Sequence, residues 1–74
     1  MKKDSEVESY LLKLEKISSY WMKHNSEHAD EHQKWMEDAQ RLGLTEVANE
    51  LEEVIGLLKK VNAHIAPIKE ITNK

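Results

Sequence analysis

Arg41-Leu42-Gly43-Leu44-Thr45 is the stretch that decides the fold. On each side of it, apolar residues recur at steps of three and four, the period of an amphipathic helix. Gly43 follows the last periodic residue of the first stretch and suits a left-handed C′ position, which ends a helix at little steric cost. Thr45 suits the N-cap of the next helix, with Glu46 near the positive end of its dipole. A connection this short makes antiparallel neighbours.

Upstream, Val7, Leu11, Leu14, Trp21, His28, His32, Trp35, Ala39 and Leu42 form one stripe, with Ser18 and Asn25 as polar gaps. Ser5-Glu-Val-Glu8 matches a capping box, so the first helix is predicted over about residues 5–42. Ser18-Ser19 is its weakest point. Asp30 with Lys34 and Glu37 with Arg41 are favoured i,i+4 pairs on its outer surface. Trp21 and Trp35 are expected as core pillars.

Downstream, Val47, Ala48, Leu51, Val54, Ile55, Leu58, Val61, Ile65 and Ile68 define a second helix over about 46–66. Ala66-Pro67 is expected to end or kink it, because the residue before proline avoids the α region. Residues 67–74 then form a short tail or an extra turn. Gly56 sits mid-helix, where glycine costs about 1 kcal/mol against alanine, and the expected compensation is space for His32 or Trp35.

The predicted fold is all-α: residues 1–74 as a single antiparallel helical hairpin. At 1.5 Å per residue the helices would be about 57 Å and about 32 Å long. The longer one overhangs, leaving Val7, Tyr10, Leu11, Leu14 and Ile17 without a partner in the chain. Leu57 and Val61 widen the second helix beyond what one neighbour covers. Both features imply a homo-oligomer, most simply a dimer forming a four-helix bundle.

A chain of 74 residues holds one small core, which supplies only about 3–5 kcal/mol unless a staple is added. Cysteine is absent, so disulfides and thiolate sites are excluded. Charged residues make up 34% of the chain, yet the net charge is −3 with mixed signs, which excludes a nucleic-acid footprint. No apolar run approaches the length of a membrane span. Met1-Lys-Lys-Asp leads into no signal-like segment, so a cytoplasmic location is expected.

The chemical anomaly is His24, His28 and His32, spaced by four on the predicted core stripe. Pairing across the turn brings the fourth histidine, His64, opposite them. Residues i and i+4 lie about 6 Å apart at Cβ, which suits two imidazoles on one ion, whereas i and i+8 do not. The candidate metal ligands are His24 and His28 with His64, or His28 and His32 with a carboxylate or a symmetry mate. Imidazole with carboxylate suits zinc, nickel, cobalt, copper or iron. The competing reading is structural histidines bonded to nearby carboxylates. Two overlapping H-x-x-E-H matches reflect helical spacing more than a peptidase, and the Glu-x-x-His signature of di-iron proteins is absent.

Tyr20-Trp-Met-Lys-His-Asn-Ser-Glu-His28, followed by Trp35 and Gly43-Leu44, resembles a family of short uncharacterised helical proteins and domains from anaerobic archaea and bacteria. Their shared core reads roughly H-W-x-x-H-N-x-x-H. Trp21, His24, Asn25 and His28 match it, and Tyr20 stands where the first histidine would be. The resemblance spans about residues 17–66. It implies the hairpin and the importance of these residues, but no reaction.

The expected function is therefore non-enzymatic: a small binding protein with a histidine cluster suited to a transition metal. The alternative is a self-associating interaction or scaffold module, open to another protein partner, whose histidines are structural.

Overall fold

The computed structural model describes residues 2–72, with side chains from Ser5 onward. Two helices, α1 (Lys2–Arg41) and α2 (Thr45–Thr72), lie against one another in a rod of 62 × 14 × 14 Å. The chain is an all-α helical hairpin.

The turn closes as its residues dictate. Gly43 adopts φ 75°. Its N–H donates to the Gln40 carbonyl at 3.1 Å, and the Leu44 N–H donates to Ala39 at 2.8 Å. This pair of bonds is the Schellman motif, which satisfies carbonyls that the helix end would otherwise orphan. At the start of α2 the cap shifts by one residue from expectation. The Leu44 carbonyl accepts the first helical bond, from the Ala48 N–H at 3.0 Å, and Thr45 already lies inside the helix.

Two other expectations about the helices are corrected, where α1 begins and where α2 ends, while the single long α1 is as predicted. α1 begins before Ser5, so the capping-box residues lie within it. It runs unbroken through Ser18-Ser19, where the Ser19 hydroxyl donates back to the Glu15 carbonyl at 3.1 Å. α2 does not stop at Ala66-Pro67 but continues through Pro67 to Thr72; Asn73 and Lys74 lie outside the described residues. Proline removes one backbone donor and crowds the carbonyl four residues earlier. Packing holds the last turn despite this, since Ile68 and Thr72 are half-buried. Thr72 reaches a cleft shared with Glu8, Leu11 and Leu12, so only about two turns of α1 overhang. Leu11 and Leu14 are half-buried, not bare.

The seam between the helices has a heptad rhythm. On α1 it comprises Leu11, Ser18, Met22, Asn25, Ala29, His32, Met36 and Ala39; on α2, Ala48, Leu51, Ile55, Leu58, Asn62 and Ile65. All are buried or half-buried. Steps of three and four sustained in this way keep one stripe of each helix facing the other. Small residues at Ala29, Ala39 and Ala48 let the backbones approach.

The register is fixed by one polar layer. Asn25 donates to the Asn62 side-chain oxygen at 3.0 Å. Asn62 donates in turn to the Met22 carbonyl at 3.1 Å and to the Ser26 hydroxyl at 3.2 Å. A half-buried amide pair is satisfied in one register and stranded in others, so it specifies alignment. Asn62→Ala should therefore lower stability by about 1–2 kcal/mol. A thermal melt that does not fall by several degrees would rule that role out.

Gly56 is not explained by close packing. A Cβ built there meets nothing within 4 Å, so neither His32 nor Trp35 fills its place. Gly56→Ala should raise stability by up to about 1 kcal/mol through helix propensity alone, visible as a higher melting temperature.

The seam is turned relative to the predicted stripe. Leu11, Ser18, Asn25, His32 and Ala39 stay within it. Val7, Trp21, Trp35 and Leu42 swing out to solvent, and Met22, Ala29 and Met36 take their place. The tryptophans are thus not core pillars of this chain: Trp21 is 41% exposed and Trp35 64%. The expected i,i+4 ion pair of Glu37 with Arg41 is also replaced, because Arg41 engages Asp38 at 3.3 Å.

Candidate functional site

The residues that swing out of α1 are not scattered. In heptad terms, with Asn25 at d, Leu14, Trp21, His28, Trp35 and Leu42 all occupy g. On α2, with Asn62 at a, Val47, Val54, Val61 and Ile68 occupy g as well. Reversing one helix against the other puts identical letters on the same side. The two g stripes therefore line one flank of the hairpin, and every member is exposed or half-buried. The opposite flank, formed by the e positions, carries Ser5, Ser19, Ser26, Gln33, Gln40, Thr45, Glu52 and Lys59, with Leu12 and Ala66 as its apolar members near the open end. One side of the rod is apolar along its length, and the other is polar except at Leu12 and Ala66.

His28 lies midway along the apolar flank, between Trp21 and Trp35. His24 lies one turn earlier, at the flank's outer edge. Their Nε2 atoms stand 3.0 Å apart, and the rings meet edge to face with centroids 4.4 Å apart. One Nε2–H donates to the other ring's lone pair; which ring carries the proton depends on the tautomer. Tyr20 stacks on His24 at 5.5 Å and 15°, buttressing it from the preceding turn.

Two imidazole nitrogens this close are near the separation at which one ion could hold both. Nitrogens about 2.0–2.1 Å from one tetrahedral zinc ion stand about 3.4 Å apart. To share one ion the rings must open by a few tenths of an ångström and also turn, because lone pairs now aimed along the N···N line must both point at the ion.

The other predicted ligands are placed differently. His32 sits in the interhelical seam, its ring centroid 6.1 Å from that of His28, with no hydrogen bond between them. His64 is exposed on α2, and among the described residues no hydrogen bond or ring contact joins it to the α1 cluster. The expected register is accurate to about one residue. His24 and His64 do stand at the same height, but at the two outer edges of the apolar flank, with both helix bodies between them. Among the described residues, no group of three or more His, Asp or Glu side chains converges within one chain.

Sequence reasoning missed Asn62 as a functional position. Its signal was present as the one polar residue in the repeat Ala48, Leu51, Ile55, Leu58, Asn62, Ile65, aligned with the one amide, Asn25, in the α1 stripe. Ser18 was seen only as a weak point. It is wholly buried, with its hydroxyl oxygen unpartnered.

The molecule thus defines a class: a two-helix hairpin with an amide-locked seam, an apolar flank and a hydrogen-bonded histidine pair upon it. The chain belongs to the DUF8180 family, a domain of unknown function, which matches residues 14–71. Comparison with curated proteins and with solved structures found no match. Among the described residues, no helix is long and apolar enough to cross a membrane.

Proposed function

We propose that this chain is a non-enzymatic, self-associating helical hairpin that binds a transition-metal ion through His24 and His28. The observation that carries the reading is the 3.0 Å approach of the two Nε2 atoms in an i,i+4 pair. Neutral imidazole nitrogens suit zinc, cobalt, nickel, copper and iron(II).

A second reading has its own support. The apolar flank is a feature of an interaction module, with or without metal. On that reading His24 and His28 share a proton, and the pair is a polar island that tunes association.

Elemental analysis of untagged protein, with calorimetric titration of zinc at neutral pH, separates the two. A stoichiometric transition metal supports the metal site. Its absence, with no heat of zinc binding, leaves the interaction module.

A further inference from the structure

His24 and His28 offer two nitrogens, while a bound zinc ion takes four ligands. We propose that a second copy of this chain packs on the apolar flank about a two-fold axis parallel to the rod, so that His64 of the partner subunit completes each His24–His28 site. The inference rests on the metal reading above and adds the source of the third ligand.

The case for a second copy is one of area. The isolated hairpin exposes 6196 Å². A compact protein of its mass exposes about 4,700 Å², and the difference exceeds the roughly 800 Å² per partner that a standard interface buries. The flank is continuous and lies on one side, as a self-complementary two-fold contact requires.

Two face-to-face arrangements are possible, and packing chooses between them. A two-fold axis across the rod lays α1 on α1 about His28. Trp21 then meets the partner's Trp35 while Val54 meets the partner's Ile68: large on large and small on small. A two-fold axis along the rod lays α1 on α2 and keeps every residue at its own height. Trp21 then lies beside the partner's Ile68, and Trp35 beside the partner's Val54. Close-packed interiors set large residues against small ones, which favours the lengthwise axis.

The outer edges agree. The Asn25–Asn62 layer fixes the height of each residue, and it puts His24 level with Ala63, one residue from His64. Along the lengthwise axis the outer edge of α1 meets the outer edge of the partner's α2. His24 then faces His64 of the partner subunit, and Ile17 faces the partner's Ile71. The crosswise axis instead sets Ile17 against the partner's Asp38. Lengthwise pairing also sets Glu31 beside the partner's Leu57 and Asp38 near the partner's Glu50, both at exposed positions, with Arg41 paired to Asp38 at 3.3 Å. Each dimer thus holds two equivalent sites, every one made of His24 and His28 from one chain and His64 from the other.

Subunit mixing tests this directly. His64→Ala alone, and the double variant His24→Ala/His28→Ala alone, should each lose zinc affinity by more than a hundredfold, since even outer-shell partners of a metal site are worth 10–100-fold. Both should stay helical by circular dichroism, because His24 and His64 are exposed and His28 half-buried. Co-refolded at equal amounts, half the dimers pair one variant with the other, and each of those regains one intact site. Tight zinc binding should return at about one quarter of the wild-type stoichiometry. Wild-type binding with no recovery in the mixture overturns the shared site. Full affinity in His64→Ala alone overturns it too, while leaving the His24–His28 site in place. A wild type that takes up no zinc removes the metal reading itself.

Discussion

Trp35→Asp should convert the protein from a dimer to a monomer at micromolar concentration, as read by sedimentation equilibrium. Trp35 is 64% exposed in the single hairpin and stands on the apolar flank one heptad beyond His28. A tryptophan anchor is commonly worth 2 kcal/mol or more at an interface, and a two-fold dimer loses two of them. A penalty of about 4 kcal/mol raises the dissociation constant by nearly a thousandfold, and a desolvated carboxylate adds to it. Lys59→Asp makes a larger charge change on the polar flank, −2 against −1, and should nevertheless leave the mass unchanged. The monomer should remain helical, because neither residue belongs to the seam. A wild type sedimenting at the mass of one chain would show that the flank is not a self-association surface, and its occupant would then be another partner.

That contrast between flanks explains what could be read from the sequence and what could not. The hairpin was legible because Gly43 is needed at positive φ and the flanking stripes have one period. The register was legible to within about a residue because a tight turn leaves little slack. The rotation of α1 was not. Three adjacent stripes of α1 carry apolar residues: one through Met22, Ala29 and Met36; one through Leu11 and Ala39; and one through Trp21, Trp35 and Leu42. Any two neighbouring stripes give alternating steps of three and four. Hydrophobicity favours the pair with the tryptophans, whereas the hairpin uses the pair with small residues and leaves the tryptophan stripe for a further contact. The approach of His24 and His28 was only half legible: i,i+4 spacing permits it, yet the same spacing leaves His32 6.1 Å from His28 between ring centroids. The position of His64 was half legible: counting from the turn gives a residue's height along the rod, but not the edge on which it stands. Pro67 misled because its local cost was read without the packing of Ile68 and Thr72 beyond it.

Metal should raise the melting temperature of the wild type, and the dependence on individual histidines identifies the ligands. A ligand that binds only the folded state adds about 2.7 kcal/mol when present at a hundred times its dissociation constant. For a domain of this size each kcal/mol is worth roughly 4–8 °C, so zinc should move the transition upward by about 10–20 °C. His24→Ala and His28→Ala should each abolish most of that rise, because each leaves a single imidazole where two nitrogens now approach to 3.0 Å. His32→Ala should preserve it, since His32 lies in the seam, 6.1 Å from His28 between ring centroids. Lys34→Ala, on the exposed back of α1, should preserve it as well. The pattern matters more than the size of the shift. Loss in His32→Ala with retention in His24→Ala would move the site to the His28–His32 pair with a carboxylate or symmetry mate. No shift in the wild type at hundreds of micromolar zinc would leave these rings as a proton-sharing polar island between Trp21 and Trp35, selecting how the apolar flank is met.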